Sequence, residues 1–227
     1  MSSEDDMDRT NEAGGTDGTD ENDEPKGSDG GRDEDESATE RADQIACTER
    51  VLETTPEAAI VANLGVASYA LASVADRTRN FYCWGSMGLT TSIGLGVALA
   101  VDEQVTVFEG DGSLLMSLGV CSTVAACDPS NLVIVVWENE IYGTTGGQSI
   151  NEIEYAAAAR ACGLWTTTAE TVGEFAERYA EAVAYDGAAL VVCAVDPIDP
   201  DARPPLDFAH VARRFREALA GDGTGEA

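Results

Sequence analysis

An α/β fold is what this sequence predicts, three layers deep with a mainly parallel central sheet between two layers of helices, and three observations predict it. Two apolar runs, Val105-Thr106-Val107-Phe108-Glu109 and Asn131-Leu132-Val133-Ile134-Val135-Val136-Trp137, have the continuous apolar character of strands buried on both faces. A helix length of chain over 113–127 separates them, closed by the turn Asp128-Pro129-Ser130. Strand, helix and strand in that order form a parallel crossover unit.

The elements follow in chain order. Residues 1–44 carry 17 acidic and 4 basic side chains among Gly, Ser and Thr, too few apolar groups to bury, so they predict a disordered acidic tail. Residues 45–220 are enough for one compact domain, and 221–227 are expected to be a disordered C-terminus. Residues 58–63 predict the first core strand, ending at Leu64-Gly65, with a helix over 66–77. The small apolar run 89–101 reads as a buried helix whose Gly94 and Gly96 allow close packing. Gly94-Leu95-Gly96 is no dinucleotide fingerprint, because it lies inside that helix and Leu99 stands where the later glycine belongs. Past the second run, 142–149 predicts a loop, 152–162 a helix, 165–168 a short strand and 172–185 a helix. A last central strand is expected over 189–195, stopped by Asp196-Pro197, and then a basic-faced helix over 207–220. That helix carries His210, the only histidine, far in sequence from every motif and so not assigned to catalysis.

Charge narrows the partners. The net charge of −29 divides into −13 over residues 1–44 and −16 over the rest, so the folded part is itself acidic. Such a surface repels nucleic acid and anionic membranes. Lys26 is the only lysine beside twelve arginines, a balance that suits a protein from a halophile, where molar salt screens the repulsion between carboxylates. Six cysteines without a CxxC pair, Cys47, Cys83, Cys121, Cys127, Cys162 and Cys193, predict reduced thiols and no iron-sulfur or zinc cluster. With no signal peptide and no apolar run of spanning length, a cytoplasmic location is expected.

The chemistry lies in two pieces, Gly110-Asp111-Gly112-Ser113 and Glu138-Asn139-Glu140-Ile141-Tyr142-Gly143. Both follow predicted parallel strands, so Asp111 and Asn139 come to the carboxyl edge of the sheet, where ligands of open α/β folds gather. A carboxylate, an amide oxygen and a backbone carbonyl near Ile141 make a fitting protein share of a Mg2+ shell that a diphosphate completes. Gly110 and Gly112 let phosphates approach the backbone, and Ser113 opens a helix whose N-terminal amides favour an anion. Alone, Gly-Asp-Gly would be a tight turn and Asn139 a strand-end cap.

The surrounding motifs decide otherwise. Residues 81–148 resemble the diphosphate-binding domain of thiamine-diphosphate enzymes, and most of all the sulfopyruvate decarboxylase β subunit and phosphonopyruvate decarboxylase family. The resemblance rests on Gly85-Ser86-Met87-Gly88, on Gly110 to Met116, and on Tyr142-Gly143-Thr144-Thr145-Gly146-Gly147-Gln148. It implies Asp111, Asn139 and the Ile141 carbonyl as magnesium ligands, and Gly112 and Ser113 as diphosphate contacts. Met87, with Gly85 and Ser86, would sit beneath the cofactor as an apolar prop. Asn63 and Gly65, at the end of the first strand, and Tyr142 and Gly143, in a loop able to close over the diphosphate, complete the expected cofactor-binding set. Glu138 departs from the Asp or Asn that many relatives place there, and Cys83-Trp84 stands at the cofactor mouth, leaving the substrate open.

The family also needs a glutamate against the cofactor's pyrimidine ring, carried on a separate pyrimidine-binding domain for which this chain is too short. The resemblance therefore implies a partner subunit supplying that glutamate, in an assembly of two of each chain or larger. The expected activity is decarboxylation of a short anionic 2-oxoacid such as sulfopyruvate or phosphonopyruvate. A carboligase of the acetolactate-synthase type, a 2-oxoacid:ferredoxin oxidoreductase subunit and a non-catalytic cofactor-binding module are the alternatives.

Overall fold

In the computed structural model, which describes residues 41–220, the apolar runs become a six-stranded, wholly parallel sheet. Helix α1 (Gln44–Thr54) leads into β1 (Ala59–Asn63), α2 (Val66–Val74), β2 (Asn80–Cys83), α3 (Thr90–Ala98) and β3 (Val105–Gly110). Next come α4 (Asp111–Met116), α5 (Val120–Cys127) and β4 (Leu132–Glu138), and then a small hairpin of β5 (Ile141–Tyr142) and β6 (Gln148–Ser149). The chain closes through α6 (Tyr155–Ala161), β7 (Trp165–Ala169), α7 (Val172–Ala184), β8 (Ala189–Ala194) and α8 (Phe208–Leu219).

The strands lie in the order β2-β1-β3-β4-β8-β7. The connection after β1 runs to β2 on one side, and the connection after its neighbour β3 runs to β4 on the other. The crevice between the carboxyl ends of β1 and β3 is therefore a topological switch point, where such sheets hold their ligands. Asn63 ends β1 and Gly110 ends β3, so the topology alone brings the candidate residues together.

Alternation along the strands builds two cores. In β4, Val133, Val135 and Trp137 face one side with Cys47 and Val51 of α1, Leu71 of α2, and Phe175 and Tyr179 of α7. Leu132, Ile134 and Val136 face the other with Leu95 of α3, Leu114 of α4, Val124 of α5 and Ala159 of α6. Each buried leucine, isoleucine or valine adds about 1.5–3 kcal/mol, so the central strands carry most of the stability. A hydroxyl network crosses the first core, where the Tyr179 hydroxyl meets Thr55 Oγ1 at 2.8 Å and Thr106 Oγ1 at 2.7 Å.

Several expectations need correction. The single helix expected over 113–127 starts two residues earlier and breaks at Ser117–Gly119, giving α4 and α5. The break lies where Met116 and Ser117 turn their Cβ atoms against Gly88. The helix over 89–101 buries only the face of Thr90, Thr91, Gly94, Leu95 and Ala98, while Leu89 and Leu99 are exposed. The boundary at residue 44 cuts into the fold, because Ala42 pairs with Val195 and Asp43 caps α1 by accepting from the Ile45 and Ala46 amides at 2.8 and 3.0 Å. The rest of the expected acidic tail and residues 221–227 lie outside the described residues. Strand β2 and helix α1 were not anticipated. On α8, Arg213 and Arg216 are exposed, but Arg214 is docked on Asp76.

Candidate functional site

The cavity lies at the switch point, with an empty volume of about 580 Å³ including its mouth. Its wall includes Asn63, Met87, Gly110, Asp111, Gly112, Ser113, Asn139, Ile141, Tyr142 and Gly143, all from the expected set. Gly65, Gly85 and Ser86 do not line it. Gly65, at φ +77°, forms the turn into α2, and a Cβ there would stand 2.8 Å from Thr144 Cγ2, so the 142–149 hairpin leans on that turn. Gly85, at φ +68°, and Ser86 shape the turn that carries Met87 to the wall.

Asp111 is 3% exposed, at the first position of α4. Its Oδ2 accepts from the Glu140 amide at 2.7 Å and its Oδ1 from the Gly112 amide at 2.8 Å, so the carboxylate ties the end of β3 to the turn after β4. Burial pushes its pKa up, and the amides of Glu140, Gly112 and Asn139 oppose that by favouring the charged form. Asn139 forms an Asx turn, its Oδ1 accepting from the Ile141 amide at 3.1 Å, and Glu140 adopts a left-handed φ of +62°. Glu140 is fixed from outside by Arg41, whose Nη2 lies 2.7 Å from Oε1.

Beneath this edge, hydroxyls knit the turns together. The Asn63 Oδ1 accepts from Thr90 Oγ1 at 3.1 Å and from Ser113 Oγ at 3.3 Å, while Ser113 Oγ accepts from the Gly88 amide at 2.9 Å. Ser113 thus joins the turns that follow β1, β2 and β3, and its single proton is directed at the protein itself. Glu109, fully buried, accepts from the Thr91 amide at 3.0 Å and its hydroxyl at 2.8 Å, anchoring the start of α3. Burial raises its pKa against those hydrogen bonds, and together with Glu109 it pushes the thiol of Cys83 up to about 12. Cys83 is therefore a protonated packing residue rather than a nucleophile.

The residues fit a metal-diphosphate group. A Cβ at Gly112 would lie 2.4 Å from Tyr142 Cε1 and displace that ring, whereas the glycine leaves bare backbone facing the cavity. Asp111 keeps acceptor capacity beyond its two amides, and Asn139 brings a second oxygen to the same edge. Among the described residues no three His, Cys, Asp or Glu side chains gather to hold a metal, so a cation at Asp111 needs oxygens from its ligand.

Sequence reasoning missed Gln44, Leu64, Val66, Ala67, Trp137, Thr144 and Thr145, which also line the cavity. The Gly-Val-Ala step adjoins the end of β1, and the two threonines lie inside the named 142–148 motif without having been assigned to the site, so both were within reach. Gln44 had no signal, since it lies on a helix that tertiary packing alone brings to the site.

Comparison with known proteins agrees with this geometry. Residues 62–193 match the model of the thiamine pyrophosphate enzyme C-terminal TPP binding domain. The chain is 40% identical to phosphonopyruvate decarboxylase of Streptomyces viridochromogenes over 82% of its own length and 49% of the relative's. It is 38% identical to sulfopyruvate decarboxylase subunit beta of Methanocaldococcus jannaschii over 70% of its own length and 87% of the relative's. It thus spans about half of the first of these and most of the second. The fold matches the thiamine diphosphate-dependent 4-hydroxybenzoylformate decarboxylase of Rhodococcus jostii RHA1 with a TM-score of 0.64 at 21% identity, covering 70% of this chain and 33% of that one. The chain belongs to the thiamine pyrophosphate enzymes, and its residues 62–193 are their C-terminal TPP binding domain.

Proposed function

We propose that the chain is the diphosphate-binding subunit of a split, thiamine-diphosphate-dependent 2-oxoacid decarboxylase. The carrying observation is the Asp111 carboxylate, bonded across to the Glu140 amide, which brings Asp111 and Asn139 to one edge beside the bare backbone of Gly112. Asp111, Asn139 and the Ile141 carbonyl would hold Mg2+, with Gly110, Gly112, Tyr142 and Gly143 around the diphosphate. Met87 lines the same cavity and suits the prop beneath the rings. When bound, the cofactor supplies the electron sink for loss of carbon dioxide. The protein's part is to orient it and exclude water, which the 142–149 hairpin over the Gly65 turn favours.

The substrate class follows from the relatives, one named for sulfopyruvate and one for phosphonopyruvate. A short 2-oxoacid with a second anionic group is therefore the substrate we infer. The relative that this chain nearly spans is named as a subunit beta, which supports a partner chain bearing the pyrimidine domain and its glutamate, in a hetero-oligomer of two of each or larger. The acidic, lysine-poor surface supports a cytoplasm of molar salt; unfolding on dialysis into dilute buffer checks this, and an unchanged midpoint would refute it.

The test mixes the chain with a pyrimidine-domain subunit in molar KCl and measures carbon dioxide from sulfopyruvate and phosphonopyruvate. Release that needs both chains, Mg2+ and thiamine diphosphate supports the reading, and none from either acid refutes it. Calorimetry on the single chain gives the second arm, since Asp111→Ala should abolish Mg2+-dependent cofactor binding.

A further inference from the structure

Gln44 is the first residue of α1 and is only 1% exposed, yet neither Nε2 nor Oε1 of its amide has a hydrogen-bond partner in the protein. Because both atoms are unpartnered, interchanging them leaves the observation intact. Trp137 is 2% exposed, and its Nε1 is likewise without a partner. Its indole is held between Phe108 and Phe175, with both ring centroids at 5.3 Å, so it is not free to swing toward an acceptor elsewhere. Gln44 and Trp137 line the same cavity as Asp111 and Asn139.

Buried polar groups in folded proteins are nearly always hydrogen-bonded, and those that are not mark a ligand, an ion or a role. Two unpartnered side chains on the wall of one cavity restrict that ligand. An indole N–H can only donate, so the partner at Trp137 must present an acceptor oxygen, and the Gln44 amide can turn its NH2 to the same group. Gln44 also opens an 11-residue helix, whose N-terminal end favours negative charge. Asp43 satisfies the Ile45 and Ala46 amides of that end, leaving side chains rather than backbone to meet the ligand.

We propose that the Gln44 amide and the Trp137 indole donate hydrogen bonds to diphosphate oxygens of the bound cofactor, forming an anion contact separate from the Asp111 and Asn139 cation ligands. The inference rests on the cofactor reading above. It adds a donor wall brought by α1 and β4, outside the glycine motifs. It also explains why a tryptophan near the end of β4 and a glutamine 19 residues before the end of β1 carry buried polar atoms that no protein group satisfies.

Calorimetric titration of the full chain tests it, with Mg2+ and thiamine diphosphate in one series and Mg2+ and inorganic diphosphate in another. Gln44→Leu is expected to weaken both about 10-fold, the scale of a lost hydrogen bond to a charged acceptor. The ligand-free midpoint of that variant should equal or exceed the wild type's, because apolar groups replace a buried unpartnered amide. Its ligand-induced rise in midpoint should shrink accordingly. Trp137→Phe, which keeps an aromatic ring, is the second variant, with a similar loss of affinity expected. Wild-type affinity in both variants, or a lower ligand-free midpoint with unchanged affinity in Gln44→Leu, would overturn the proposal and make the two residues structural. Weaker thiamine diphosphate binding with unchanged inorganic diphosphate binding would move the contact to the cofactor's rings and overturn the diphosphate assignment. Absence of binding by the wild type, visible without any variant, would overturn the cofactor reading itself.

Discussion

Gly94 of α3 lies so close to Val107 of β3 that a Cβ on the glycine would stand 2.1 Å from Val107 Cγ2. The helix can approach the sheet at this point only without a side chain, and α3 supplies Thr90 and Thr91 to the network under the cavity. Gly94→Ala should therefore destabilise the fold by about 1–3 kcal/mol, despite alanine's better helix propensity. Adding Val107→Ala removes the clashing methyl, so the two substitutions should couple favourably in a double-mutant cycle of denaturation midpoints. Strict additivity would mean that the contact is slack.

Tyr179 joins α7 to α1 and β3 through hydrogen bonds of 2.8 and 2.7 Å to Thr55 and Thr106. Burial of this hydroxyl pushes its pKa up to about 12, against its hydrogen bonds with Thr106 and Thr55, so it stays neutral through the working range. Tyr179→Phe keeps the ring and strands the buried Thr106 hydroxyl, while Thr55 retains its bond to the Val51 carbonyl at 3.0 Å, for a loss of about 1–3 kcal/mol in chemical denaturation. Tyr179→Phe with Thr106→Val should recover part of it, since removing both partners is milder than removing one.

Gly112→Ala should separate binding from folding. The added methyl meets the edge of the Tyr142 ring at 2.4 Å and Ile150 Cδ1 at 2.8 Å, both movable side-chain ends of the hairpin region. The stability cost should stay near ~1 kcal/mol, while the displaced ring narrows the cavity. Affinity for Mg2+ and thiamine diphosphate is expected to fall about 10-fold, the equivalent of ~1.4 kcal/mol. Calorimetry with intact affinity would place Tyr142 away from the ligand.

Asp76 gives a pH dependence. Arg214 holds its carboxylate below the ordinary value, helped by the Tyr82 hydroxyl at 3.0 Å, with burial opposing. A depressed folded pKa means that the pair stabilises the protein above the unfolded carboxylate value of 3.8 and loses that contribution as pH falls through the folded value. The carboxylate side chain is 38% exposed and salt screens it, so the contribution is no more than about 1 kcal/mol. Asp76→Asn should thus lower the denaturation midpoint at pH 7 and leave it near the wild type's in strong acid. A difference that persists in acid would assign the effect to packing.

What the sequence revealed depended on how local each signal was. The runs that became β3 and β4 were readable because both faces of each strand are buried, leaving no polar alternation to confuse them. Asp111 and Asn139 could be placed together because each directly follows a recognisable parallel strand, which puts both at the carboxyl edge of the sheet. Helix α1 was hidden because its buried positions include Gln44 and Thr48, which carry no apolar signal. Strand β2 is an edge strand of four residues opening with Asn80, whose side chain bonds the Ala75 carbonyl at 2.9 Å, too short a stretch to carry a strand signal of its own. Gly94 and Gly96 looked equivalent in sequence, yet only Gly94 meets the sheet, because Gly96 sits on the open side of the same helix.

Arg41 grips Glu140, Ala42 pairs with Val195, and the amide of Glu140 reaches Asp111. Residues 41 and 42 are thereby part of the frame that sets the Asp111 edge of the cavity. A deletion that trims the chain past Arg41 would free the Glu140 turn and, through it, the carboxylate which that turn holds. A shortened version of this protein keeps its cavity only if the cut falls before residue 41.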